Sequence, residues 1–157
     1  MINFYDTSSL LLKVDSLFEE NVPFAISSIT LDELENIKTS SNKDQEVKYA
    51  ARKLLHMLDE NIEKVNIVIY KEKMLAPILD ADLSVTNDTK ILACAISCAK
   101  DNEVCFYTND LALKTIARIF FNDNVSSINE DEEDDYTGFI DVTLNNDEMG
   151  DFYSNFS

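Results

Sequence analysis

Four acidic residues stand where predicted strands give way to predicted helices. They are Asp6 after a first apolar run, Glu33 after a second, Asp88 at the start of a long helical segment, and Asp110 just beyond another apolar run. In an open parallel sheet the carboxyl ends of the strands share one edge, and ligands bind in the crevice there. We therefore expect the four carboxylates to converge on one pocket.

This cluster predicts a metal-dependent chemistry. Carboxylates brought together without a basic residue repel one another, and a divalent cation relieves that repulsion. Ligands that offer only oxygen favour the hard ions Mg²⁺ or Mn²⁺ over zinc. Such an ion polarises a phosphodiester and activates an attacking water. The pattern therefore suits hydrolysis of phosphodiester bonds.

Each acid also has a structural interpretation. The sequence TLDE at residues 30–33 matches a capping box, in which Glu33 would bond to the amide of Thr30. Asp88 suits the first turn of a helix, and Asp110 suits an N-cap. For Asp6 we favour the functional interpretation, because an acid that closes an apolar strand is expected neither as a cap nor as a strand former.

The segments around these acids predict an α/β fold with a mostly parallel sheet. The strand candidates are residues 2–6, 23–28, 65–70 and 103–108. Apolar residues recur with helical period over residues 10–18, 47–58 and 91–99, and again from Asp110 onward. Residues 71–86, which include Pro77, receive no assignment.

Composition sets limits on the functional class. The chain has 157 residues, of which 45% are apolar, as expected for one globular domain. Two glycines are too few for a Walker phosphate loop or a dinucleotide-binding turn. The formal net charge of -17 repels nucleic acid over most of the surface, so any such binding must be local or assisted by a metal.

Charge also divides the chain. Residues 1–129 hold 20 acidic and 13 basic residues, whereas residues 130–157 hold 10 acidic residues and no basic one. We therefore predict a compact domain over residues 1–129 and an acidic linker or tail over residues 130–157. Within that tail, residues 138–144 are a candidate short strand.

The remaining features favour a cytoplasmic protein. Three cysteines without a C-x-x-C spacing, Cys94, Cys98 and Cys105, suit reduced thiols buried as small core residues. Neither a secretory signal nor a membrane-length apolar segment is present, so we expect no membrane association. The single histidine, His56, is predicted to lie at the surface or at the edge of the core.

Four segments together resemble the motif blocks of PIN-domain ribonucleases. They are FYDTSSLL at residues 4–11, ITLDEL at 29–34, NDTKILA at 87–93 and YTND at 107–110. Within that superfamily the chain is most similar to the N-terminal PIN domain of PhoH-like proteins. That finer similarity rests on LDELENIK at residues 31–38, on residues 87–93 and on YTGFIDVTL at residues 136–144.

The resemblance implies a three-layer α/β/α sandwich that acts as a divalent-metal-dependent endoribonuclease on single-stranded RNA. Catalytic, metal-binding acids at Asp6, Glu33, Asp88 and Asp110 would hold Mg²⁺ or Mn²⁺. Thr108 matches a hydroxyl position that orients the last acid. Ser8 stands where many PIN domains carry Asn, which puts one supporting hydrogen bond in question. PhoH-like proteins continue into an ATPase domain, so the tail is expected to lead to one that is absent here.

Three lysines near the motifs, Lys38, Lys90 and Lys114, are candidate contacts for RNA phosphates. Solvated helix faces with neighbouring ion pairs explain them equally well. Two other functional classes stay open. One is aspartyl-phosphate transfer on Asp6, although Ser8 breaks the Asp-x-Asp-x-Thr pattern of the haloacid dehalogenase type. The other is a non-catalytic module that binds or regulates a partner.

Overall fold

The computed structural model describes residues 1–128, and they contain a five-stranded sheet in which every pair of neighbouring strands is parallel. The strands are β1 (Ile2–Tyr5), β2 (Phe24–Ser27), β3 (Val65–Val68), β4 (Val104–Tyr107) and β5 (Val125–Ser126). Four of them coincide with the predicted runs. β5 was not predicted, because two residues are too few to display a strand period. The candidate strand at residues 138–144 lies outside the described residues.

Six α-helices accompany the sheet in this part of the chain. They are α1 (Thr7–Leu12), α2 (Ser28–Thr39), α3 (Gln45–Glu60), α4 (Ala76–Asp80), α5 (Asn87–Cys98) and α6 (Leu111–Phe121). Two short 3₁₀ helices, Ile62–Lys64 and Glu72–Leu75, precede β3 and α4. The segment left unassigned thus holds a 3₁₀ helix and α4, with Pro77 in the first helical turn, where its missing N–H is tolerated.

The first helix is shorter than its apolar pattern predicts. α1 ends at Leu12 and turns follow, although the helical period continues to Phe18. Leu17 is nevertheless buried, and Phe18 packs against the same core cluster. The period in this stretch therefore reports burial of the side chains and not a continuous helix.

Alternation along the strands builds two cores, one on each face of the sheet. Phe4 and Phe106 point to the face covered by α4, α5 and α6, whereas Tyr5 and Ile26 point to the face covered by α1, α2 and α3. This arrangement is a three-layer α/β/α sandwich around a central parallel sheet, as predicted.

The strand order β3-β2-β1-β4-β5 places a switch point between β1 and β4. The chain builds outward from β1 through β2 to β3, then returns to the other side of β1. At such a point the connections diverge and leave a crevice at the carboxyl ends of the strands. Tyr5 pairs with Tyr107 in the register, so Asp6 and Thr108 follow side by side at that crevice.

The cysteines are predicted to be buried, and His56 is predicted to lie at the surface or at the edge of the core. Cys94 and Cys98 are buried, Cys105 is half-buried, and all three are free thiols, as expected. His56 lies exposed on α3. Within residues 1–128, no helix combines the length and apolar character needed to cross a membrane.

Candidate active site

Asp6 is buried at the switch point and is held by three hydrogen-bond donors. Its carboxylate accepts the amide of Ser9 at 2.9 Å, the hydroxyl of Ser8 at 3.0 Å and the hydroxyl of Thr108 at 2.6 Å. The side chain is the N-cap of α1, so the expectation that it has no capping role is wrong. α1 begins at Thr7, directly after β1, and one residue therefore closes the strand and caps the helix.

Burial dominates the electrostatics of Asp6. Loss of solvent raises the pKa of its carboxyl, and the hydrogen bonds from Thr108, Ser9 and Ser8 counteract that rise. A carboxylate offers about four acceptor positions. With three donors in place, Asp6 retains capacity for a further ligand.

Two supporting residues act on Asp6. The hydroxyl of Thr108 donates to Asp6 and accepts the backbone amide of Asp110, the latter at 3.1 Å. The bond to Asp6 adds to the predicted contact with the last acid, because β4 lies beside β1 and the Thr108 side chain reaches across. Ser8 does supply a hydrogen bond to Asp6.

Glu33 lies inside α2, where it is 5% exposed. The capping-box interpretation is wrong, as is the expectation that Glu33 opens the helix, because α2 begins at Ser28 with Ser27 as its N-cap. The Glu33 carboxylate accepts instead from the hydroxyl of Thr7 and from the side-chain amide of Asn87, the latter at 3.2 Å.

Two of the other acids, Asp6 and Asp88, act on Glu33. Burial raises the pKa of Glu33 to about 7, the hydrogen bonds from Thr7 and Asn87 oppose the rise, and the negative charges of Asp88 and Asp6 add to it. The fold has therefore brought both Asp6 and Asp88 within electrostatic reach of Glu33.

Asp88 and Asp110 occupy the helical positions that their structural interpretations predicted. Asp88 lies in the first turn of α5, whose N-cap is Thr86. Asp110 is the N-cap of α6, and its Oδ1 accepts the amides of Ala112 at 3.0 Å and Leu113 at 3.3 Å. The link from Asp110 to Asp6 runs through Thr108.

A comparison with known protein families matches residues 4–120 to the PIN domain. The chain belongs to the PIN domain family. PIN domains are generally nucleases and typically use divalent metal ions. The match spans all four acids. A comparison with curated proteins found no match.

The donor chemistry of this PIN domain suits a hard divalent ion. Asp6, Glu33 and Asp88 offer only oxygen, and the mutual repulsion that acts on Glu33 is the kind that a cation relieves. The three carboxylates nevertheless lie farther apart than the ligands of one bound ion. Within residues 1–128, no three Asp, Glu, His or Cys side chains lie close enough to hold one ion.

Two residues that hold Glu33 were missed in the sequence analysis. Thr7 follows Asp6, and Asn87 precedes Asp88, so both lie within the quoted motif segments. Polar residues adjacent to candidate acids were the available signal. Their role depends on α1, α2 and α5 meeting in space, which local spacing does not reveal.

Two of the three candidate lysines have local partners that favour their structural interpretation. Lys38 pairs with Glu35 one turn earlier, with 3.1 Å between the charged atoms. The Lys90 ammonium lies 5.6 Å from the centre of the Tyr70 ring. Lys114 lies in α6 one turn beyond Asp110. Lys38 and Lys90 are thus engaged within the PIN domain.

Proposed function

We propose that this PIN domain is a divalent-metal-dependent endoribonuclease that hydrolyses phosphodiester bonds of single-stranded RNA. The observation that carries the proposal is that buried Glu33, which accepts hydrogen bonds from Thr7 and Asn87, also feels the negative charges of Asp6 and Asp88. Asp6 and Thr7 directly follow β1 at the switch point. Such a site gains most from a bound cation, and the crevice is where an α/β sheet binds its ligand.

In this proposal Asp6, Glu33, Asp88 and Asp110 hold Mg²⁺ or Mn²⁺. When bound, the cation polarises a phosphodiester and lowers the pKa of an attacking water. The rest of the chain orients the ligands. Ser8, Ser9 and Thr108 hold the carboxylate of Asp6.

Binding of RNA in this proposal is local. The net charge of -17 repels a polyanion, so affinity must come from the cation and from basic residues near it. Lys90 and Lys114 follow Asp88 and Asp110 on their helices and are proposed as phosphate contacts, together with Lys38.

We further propose the organisation inferred from the sequence. Residues 1–129 form the nuclease domain, and residues 130–157 form an acidic linker. The resemblance to PhoH-like proteins supports a cytoplasmic chain in which that linker leads to an ATPase domain.

Cleavage of a labelled single-stranded RNA in Mn²⁺ tests the function. Asp6→Asn, Glu33→Gln and Asp88→Asn should each lower the rate by about 100-fold or more, because the lost charge stabilisation is worth several kcal/mol. Asp32→Asn is the matched control, since Asp32 is exposed on α2 beside Glu33. Cleavage without a divalent ion, or undiminished in Asp6→Asn, would contradict the proposal.

A second candidate function, a non-catalytic binding module, is favoured by one observation. The carboxylates of Asp6 and Glu33 are already hydrogen-bonded within the protein, and residues 1–128 contain no closed ligand set. On this alternative, wild-type protein binds RNA or another partner and cleaves nothing. The same cleavage assay separates the two functions.

A further inference from the structure

Two surface grooves flank the last turn of α2. The first, here the polar groove, has a volume of about 320 Å³ and is lined by Glu33, Asn36, Ile37, Ser40, Asn42, Lys43 and Asn87. The second, here the basic groove, has a volume of about 480 Å³ and lies between α2 and α3; it is lined by Lys38, Thr39, Arg52, Leu55, His56 and Asp59.

The two grooves meet at one short stretch of chain. Ile37 and Ser40 line the polar groove, whereas Lys38 and Thr39 line the basic groove. One helical turn is therefore all that separates them. Lys38 follows Glu33 by five residues, which is about 7.5 Å along the helix axis. Five residues also rotate by about 140° around the helix axis beyond a full turn, so the two side chains lie on different sides of α2 and a strand that contacts both must cross its last turn.

The basic groove is unusual for so acidic a chain. The protein has 13 lysines and arginines against 30 acidic residues, yet this groove brings together Lys38, Arg52 and His56 from two helices. Arg52 is exposed, and it has no ion pair with any of residues 1–128. A guanidinium group binds phosphate through a rigid pair of donors, so Arg52 is suited to hold a phosphodiester.

We infer that the polar and basic grooves form one track for single-stranded RNA. The strand runs from the carboxylates, along the polar groove and over the last turn of α2, into the basic groove. There Arg52 and Lys38 contact backbone phosphates. The start of the track at the carboxylates rests on the proposed function. The inference extends that function by naming the path of the substrate.

Arg52 is the residue on which to test the track. Lys38 is ion-paired with Glu35, whereas Arg52 has no ion pair within residues 1–128, so the charge of Arg52 is the more available one for a phosphate. Arg118, the only other arginine, offers a matched control. It is also exposed, and it lies on α6, which covers the opposite face of the sheet.

The experiment measures binding of the full chain to fluorescein-labelled single-stranded RNA by anisotropy, at low salt in EDTA, where a metal-dependent nuclease does not cut. Arg52→Glu should weaken binding of an oligonucleotide of about 12 nucleotides by about tenfold, whereas Arg118→Glu should match wild type. Both variants change the net charge equally, so a difference between them reports the position of the arginine. Removal of one phosphate-binding cation from the track should lower the slope of log affinity against log salt by about 0.7.

Several outcomes would overturn the track. They are equal affinities for the two arginine variants, an unchanged salt slope in Arg52→Glu, or no RNA binding by wild type. The cleavage assay in Mn²⁺ stands apart from this measurement. If wild type cleaves RNA but the two arginine variants bind it equally well, the track is wrong and the nuclease function stands. If only Arg52→Glu binds more weakly and wild type cleaves no RNA, the track stands and the nuclease function is wrong.

Discussion

Thr108 donates its hydroxyl hydrogen to the carboxylate of Asp6 at 2.6 Å, although 102 residues separate the two along the chain. Both side chains are buried; Asp6 directly follows the central strand β1, and Thr108 directly follows its neighbour β4. The bond thus joins the ends of β1 and β4 and fixes the orientation of the acid at the switch point.

Removing this donor should destabilise the fold. Thr108→Val keeps the shape of the side chain and leaves the buried Asp6 carboxylate short of one partner, which costs about 1–3 kcal/mol. Urea denaturation at neutral pH measures the loss. Thr108→Ser retains the hydroxyl and should recover most of the stability. A loss of stability in Thr108→Ser but not in Thr108→Val would show that packing of the methyl group, and not the bond, is responsible.

Asp110 allows its structural and proposed catalytic roles to be separated. Asn is as good an N-cap as Asp, so Asp110→Asn should keep the stability of α6 while abolishing RNA cleavage in Mn²⁺. Asp110→Ala should lose cleavage and about 1 kcal/mol of stability. Thermal denaturation and the cleavage assay are read side by side. Wild-type cleavage by Asp110→Asn would leave Asp110 with the capping role alone.

Glu33 should make the metal-free protein less stable as pH rises. Its pKa is raised to about 7 from 4.5, so below about pH 4.5 it is protonated in both folded and unfolded states and costs nothing. As pH rises to about 7, the unfolded chain releases the proton first and stability falls. Above that pH the full penalty, about 3 kcal/mol, is present.

Urea titrations in EDTA at several pH values measure this effect. Glu33→Gln cannot ionise, so the difference in unfolding free energy between it and wild type should change by about 3 kcal/mol between acidic and mildly alkaline pH. Asp32→Asn, one residue away and exposed, should follow the wild-type profile. A pH-independent difference between Glu33→Gln and wild type would refute the raised pKa.

Bound Mn²⁺ should stabilise the folded protein. At a concentration of about 100 times its Kd, one ion adds about 2.7 kcal/mol. Each kcal/mol raises the midpoint of a domain of this size by about 2–4 °C, so we expect a rise of about 5–10 °C. Na⁺ at matched ionic strength should give none. An equal response to Na⁺ would indicate screening of surface charge and no specific site.

Asp88→Asn sharpens the metal test. The negative charge of Asp88 raises the pKa of Glu33, so its removal should raise the melting midpoint of the metal-free protein and reduce the rise in midpoint caused by Mn²⁺. If Asp88 served only its helix, the lost interaction with the helix dipole would lower the metal-free midpoint and leave the metal response intact. The sign of the metal-free shift decides between these interpretations.

Local sequence patterns predict most of the helices and strands and the helical positions of Asp88 and Asp110. Apolar runs predicted four of the five strands because strand burial is a local pattern, seen in the alternating exposure of Val104–Tyr107. The N-cap position of Asp110 and the first-turn position of Asp88 were predictable for the same reason. Both depend on neighbours within one helical turn.

Which of these side chains contact one another depends on the packing of distant parts of the chain. Thr30 and Ser27 are both good N-caps three residues apart, and local sequence does not choose between them. The fold buries Thr30 and bonds it to Thr7, so Ser27 caps α2 and Glu33 is left to face Thr7 and Asn87. Likewise, Thr108 meets Asp6 because β4 lies beside β1 in matched register. Strand order and register are long-range properties, and no local periodicity contains them.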